Sequence, residues 1–213
     1  MKTKEEMEAF LTPPRLEWIH RSIRDGLADY EDPTLYSAKA RVAHTPSVSS
    51  MIRNCHIVHR ANMADLEELQ VKVLIRRGRV LFRIADQVDV WFKKLDRNLR
   101  PRFVPTEQAR AFVEQRMPMW PEEELPPVIT NTVAGYLPDA AEQEVRAYIT
   151  APFGNGNAWV IRLPGAVVID MFATETQLSM EDMPARQPVD NNPKRIQIRP
   201  GVLKKDAENH SRD

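Results

Sequence analysis

The sequence predicts an α+β protein, with N-terminal helices packed on a mainly antiparallel sheet of about five strands. Three observations carry this. Apolar residues between positions 16 and 27 recur at helical spacing. Between positions 71 and 94 they alternate with polar residues at the period of a strand. The segments run helices, β-hairpin, helix, β-meander, with no repeated βαβ unit and no glycine-rich phosphate loop.

The first helix starts at Thr3, a cap residue followed by Glu5 and Glu6 in the first turn. Pro13-Pro14 interrupts it. Leu16, Ile19, Ile23 and Leu27 then mark an amphipathic helix expected to end near Gly26. Asp32-Pro33 reads as a turn, and a third helix begins at Ser47 or Ser49, with Val48, Ile52, Cys55 and Val58 as its buried stripe.

Val71, Val73 and Ile75 alternate with Lys72 and Arg76 on a strand, and Arg77-Gly78 suits a tight turn. From Arg79 to Lys93 the even positions Val80, Phe82, Ile84, Val88, Val90 and Phe92 are apolar. The phase reads as one long strand with a bulge near Ala85–Gln87, where Asp86 breaks the pattern. Its odd side, with Arg79, Arg83, Trp91 and Lys93, is expected to face water or a partner. Thr106 caps a further helix that Pro118 ends. An acidic loop containing Glu122, Glu123 and Glu124 follows and could lie against the basic strand. Strands are expected at 129–137, 144–151 and 158–163, and a strand or helix stub at 165–171. The turns between the first three fall at Pro138-Asp139 and at Phe153–Asn157, which carries an Asn-Gly signature. Residues 1–172 therefore form one domain, and 173–213, rich in Pro, Asp, Asn, Arg and Lys, form a mostly disordered tail.

Lys+Arg and Asp+Glu are both 30, so no global pull towards nucleic acid or membrane follows. The charge is unevenly distributed. Val71–Arg102 holds ten basic residues against three acidic ones, a local excess of seven. The single cysteine, Cys55, excludes an internal disulfide framework. The charged N-terminal segment lacks an apolar signal-peptide core, and no run approaches the ~18 apolar residues of a membrane span. A cytoplasmic, bacterial-type protein is expected, with no cofactor.

Four patterns bear on chemistry. Arg79, Arg83, Trp91 and Lys93, with Arg97 and Arg100 in the following loop, interleave cations with an aromatic, as phosphates and unstacked bases require. His56 and His59 lie at i, i+3 on a helix but lack the further ligands a zinc site needs, so no metal is assigned. Asp86 and Asp89 complete no nuclease-type metal site, because alternation points them to opposite faces. Thr176–Met180 resembles the peptide by which bacterial proteins dock on the replication sliding clamp, with Gln177, Leu178 and Ser179 matching and Met180 in place of leucine.

Arg53 and His59 resemble the Arg-x(4–6)-His motif of the HEPN family of ribonucleases. That resemblance implies metal-independent RNA cleavage, with His59 as acid/base and Arg53 steadying the phosphate charge. The leading expectation is instead a non-enzymatic interaction protein that binds nucleic acid or an acidic partner protein through the basic strand face, of the kind found in bacterial toxin–antitoxin or prophage modules. An endoribonuclease toxin using Arg53 and His59 is the first alternative, and a structural subunit without a ligand site the second.

Overall fold

In the computed structural model the described residues are 1–76, 79–104, 106–115, 129–139 and 144–168. The Arg77-Gly78 turn, the acidic loop, the expected tail and its Gln177–Met180 peptide lie outside them.

Helix α1 (Lys4–Phe10) opens with a complete capping box. The Thr3 hydroxyl accepts from the Glu6 amide at 3.2 Å, and the Glu6 carboxylate accepts from the Thr3 amide at 2.7 Å. Helix α2 (Pro13–Glu31) uses Pro13 as its first residue, where the missing amide hydrogen costs nothing. It buries Trp18, Ile19, Ile23, Leu27 and Tyr30. Gly26 does not end it, because the helix continues to Glu31. After the short α3 (Ala38–Ala43), α4 (Pro46–Asn62) crosses α2, capped by Thr45. Its buried residues are Ile57 and Ala61, and Cys55 is exposed, so the packed stripe is rotated from the expected one. Trp18 Nε1 donates to the Ala61 carbonyl at 3.0 Å.

Strands β1 (Val71–Arg76), β2 (Arg79–Ile84) and β3 (Val88–Lys94) form an antiparallel meander. The stretch expected as one bulged strand is a hairpin of two. Ile84 pairs with Val88 across three loop residues, and Ala85 and Asp86 take left-handed φ of 46° and 52°. Because 84 and 88 are both even, the hairpin leaves the parity of the sequence unbroken and imitates a single strand. Lys72 grips Asp86 in the loop at 2.7 Å.

The chain then crosses over. After α5 (Glu107–Val113), β4 (Thr130–Asp139) pairs parallel to β3, with Val88 opposite Thr130 and Lys94 opposite Tyr136. This is one βαβ unit, where none was expected. Strands β5 (Glu144–Phe153) and β6 (Gly156–Val168) complete a meander, turning at Gly154 with φ of 54°. The sheet has six strands in the order β1-β2-β3-β4-β5-β6, mostly antiparallel. β6 runs on through residues expected to form a separate element.

One face carries Phe82, Ile84, Val90, Phe92, Tyr136, Ile149 and Ile161 against α1, α2 and α4. Trp18 meets Phe82 and Phe92 edge-on at 5.6 and 6.1 Å. The other face is covered as well. Leu81, Trp91, Val133 and Tyr148 pack with Leu95 and Phe112, from the crossover segment. Gln115, at φ of 56°, fastens the end of α5 to the sheet, its side-chain amide donating to the Asn131 and Pro152 carbonyls at 2.7 and 3.0 Å. Among the described residues, no helix is long and apolar enough to cross a membrane.

Candidate functional site

The second covered face changes the expected binding surface. Arg83 is 3% exposed and Asp89 0%. They face each other across β2 and β3, Nε donating to Oδ1 at 2.8 Å and Nη2 to Oδ2 at 3.1 Å. Arg83 is therefore half of a buried bidentate ion pair and not an outward cation. Trp91 is 6% exposed, tilted against Phe103 at 4.9 Å and edge-on to Phe112 at 5.5 Å. It is a core residue and offers no open platform for a base. The physical reason is the crossover, which lays residues 95–115 over a strand face that alternation alone assigns to solvent.

Two of the predicted cations do come together. The Arg79 guanidinium lies 5.7 Å and the Lys93 ammonium 4.4 Å from the centroid of the same indole, Trp91. Burial, and then the charge of Arg79, hold the Lys93 ammonium below its usual range. Nη1 of Arg79 is buried and makes no hydrogen bond among the described residues. No carboxylate among them lies within ion-pair distance of either side chain. Two like charges are thus held against one ring, with no described carboxylate to separate them.

Arg97 is exposed in the next loop. Arg100 is more constrained. It sits 3.7 Å from Asp96 and donates to the Asn155 carbonyl at 2.8 Å. Asp96 accepts from the Asn98 and Arg100 amides, which shapes the loop. Arg100 borders an open groove of about 500 Å³ that Phe103, Arg110, Glu114 and Pro152 also line.

Arg53 and His59 are not brought together. Arg53 donates to Glu31 at 2.9 Å, and its guanidinium stacks 4.3 Å from the Tyr30 ring centroid. His59 is exposed. Six positions apart on a helix, the two side chains point about 120° away from each other. His56 meets the Tyr36 hydroxyl at 3.0 Å and lies 3.7 Å from Asp29. Among the described residues, no group of three His, Cys, Asp or Glu could hold a metal ion.

Asp29 also clasps Arg60, Nε donating to Oδ2 at 2.7 Å. The hydrogen bonds from Arg60, and then its charge, outweigh burial and hold the Asp29 carboxyl below its ordinary value of 3.8. A carboxyl whose folded-state pKa is depressed contributes stability above its unfolded pKa and loses it as pH falls through the folded value. Arg60 is 45% exposed, which limits the effect. We expect Asp29→Asn to cost about 0.5–1 kcal/mol at neutral pH and less as the pH drops below the carboxylate range. Urea midpoints measured across that range check this; a loss that stays constant in acid would contradict it.

A group that sequence reasoning missed lies on the other face of β3. Lys94 is the strand partner of Tyr136, and burial, then the charges of Arg53 and Arg102, hold its ammonium below the usual range. Consecutive strand residues point to opposite faces, so Lys93-Lys94 places one cation on each side of the sheet. That doublet was the available signal. The influence of Arg53 and Arg102 on Lys94 arises only from the tertiary fold.

The fold and these contacts define an α+β protein with a six-stranded mixed sheet, covered on both faces and carrying cations on both sides of the end of β3. Comparison with protein-family models, with curated proteins and with solved structures gives no match.

Proposed function

We propose that this chain is a non-enzymatic binding protein that holds the phosphate backbone of a nucleic acid through Arg79 and Lys93, with Arg97 and Arg100 extending the contact along the next loop. One observation carries the reading. Two cations share the indole of Trp91 with no carboxylate partner among the described residues. A polyanion relieves their repulsion and supplies charged acceptors for both cations. Because Trp91 is packed and cannot stack on a base, the contact is to backbone and carries little sequence preference.

The test is fluorescence anisotropy of the full chain with labelled single- and double-stranded oligonucleotides over a salt series. Affinity should fall steeply with salt, each phosphate contact adding about 0.7–0.9 to the log–log slope. Arg79→Ala and Lys93→Ala should each reduce that slope by about one contact and weaken binding for all sequences alike. Absence of binding at low salt would defeat the proposal. Binding of polyglutamate in place of either nucleic acid would reassign the surface to an acidic protein.

A further inference from the structure

A groove of about 440 Å³ lies on the helical side of the sheet, between α2 and the connection from α4 to β1. Its α2 wall spans Pro14–Asp25, about 16 Å at a rise of about 1.5 Å per residue, or three helical turns. Both walls are fixed. Trp18 is tied to the Ala61 carbonyl at 3.0 Å, and Arg15 Nε donates to the Leu69 carbonyl at 3.3 Å. Between these ties the Asp65 carboxylate accepts from the Glu68 amide at 3.1 Å, which shapes the connection. The floor is apolar, made by Trp18, Ala64 and Leu69, and Met63 also lines the groove, 70% exposed.

The charge around this floor is one-sided. Glu17, Asp65 and Glu68 are exposed, and none of them lies within ion-pair distance of a cation among the described residues. The two guanidiniums that line the groove are already engaged. Arg21 is 3.8 Å from Asp25, and Arg60 is clasped by Asp29. A rim of unpaired carboxylates repels phosphates and anionic headgroups. With an apolar floor, it complements a segment that carries apolar side chains and cations together. We propose that this groove docks a basic amphipathic helix of a partner protein. The apolar side chains of that helix seat on Trp18, Ala64 and Leu69, with the flexible Met63 fitting around them. Its lysines or arginines meet Glu17, Asp65 and Glu68. The groove is on the opposite side of the sheet from Arg79 and Lys93 and does not depend on the nucleic-acid reading.

Fluorescence anisotropy of the full chain with a labelled helical peptide of leucine and lysine tests it, beside a serine–lysine peptide of equal charge and a leucine–glutamate peptide of opposite charge. The leucine–lysine peptide should bind, the serine–lysine peptide about tenfold more weakly, and the leucine–glutamate peptide not at all. Glu17→Gln, Asp65→Asn and Glu68→Gln together change exposed side chains, keep the acceptor that shapes the connection, and should weaken binding about tenfold. Met63→Ser should weaken the leucine–lysine peptide and leave the serine–lysine peptide unchanged. Thermal denaturation checks that each variant folds. Arg79→Ala with Lys93→Ala should leave peptide binding intact while weakening oligonucleotide binding, which separates the two surfaces. The proposal is overturned by equal binding of the serine–lysine peptide, by binding that survives loss of the three carboxylates, by binding lost with Arg79 and Lys93, or by no binding at low salt. Sedimentation velocity examines the other occupant. Self-association that the triple variant abolishes would place a second copy of this chain in the groove and overturn the reading of a separate partner.

Discussion

Gly26→Ala is expected to destabilise the protein by about 3 kcal/mol, the upper part of the range for overpacking a tight interior. A Cβ at this position would lie 2.5 Å from both Cα and N of Ile57, and 2.8 Å from its Cγ1. The first two are backbone atoms of α4 and cannot rotate away. The two helices must separate, which loosens Ile57 and strains the bond from Trp18 to Ala61. The sign of the result is informative. In a helix interior without a close neighbour, replacing Gly by Ala stabilises by about 1 kcal/mol. Urea denaturation therefore decides between opposite outcomes, and a stabilised variant would show that α2 and α4 do not approach so closely at this point.

The second large effect is expected at the buried ion pair. Asp89→Ala takes from the Arg83 guanidinium the two oxygens that neutralise it, inside a layer otherwise built from Leu81, Trp91 and Phe112. Removing one partner of a buried pair costs about 3–5 kcal/mol, because the remaining charge is stranded away from water. Replacing both, as Arg83→Met with Asp89→Leu, should recover most of that loss, since an apolar pair of similar volume avoids the desolvation of two ions. The double-mutant cycle, read from urea midpoints, gives the coupling directly. If Asp89→Ala costs less than about 1 kcal/mol, water reaches Arg83 and the second face is not closed.

Much of this architecture can be read from the residues themselves. Thr3 and Glu6 announce α1 because capping is a local rule, satisfied within four positions. The alternation from Val71 to Lys94 announces strands and identifies Phe82, Ile84, Val90 and Phe92 as core. What parity cannot convey is what lies above each face. Leu74 and Leu81, on the face expected to be wet, were the sign that it is covered, and the surrounding arginines masked it. Gly26 shows a similar ambiguity. A glycine near an apolar stripe can end a helix or admit a neighbouring backbone, and only the position of α4 decides. The rotated stripe of α4 has the same origin, since a helix bearing apolar residues on more than one side is oriented by its neighbours.

The candidate sites divide along the same line. That Arg79 and Lys93 share one sheet face is legible, because both lie on one side of strands that alternation identifies. Arg83 and Trp91 were misplaced by the crossover, and Arg53 is engaged by Tyr30 and Glu31 from a separate helix. Tyr136 carried no sequence signal at all. Its burial beside Lys94 is a tertiary outcome, a pairing created by the parallel junction of β3 and β4.

The hairpin of β2 and β3 can be mispaired by two residues without turning any side chain to the wrong face. Hydrophobic patterning is blind to that error, because every even residue would still find the apolar side. Charge is not blind to it. Shifted one way, Arg83 would stand opposite Trp91 and Asp89 opposite Ala85; shifted the other, Arg83 would meet Gln87 and Asp89 would meet Leu81. Either slip separates the two ions while keeping both beneath the crossover segment. The correct alignment is the one in which they touch. The buried pair thus works as proofreading for the strand register, distinguishing alignments that the oily residues around it accept equally.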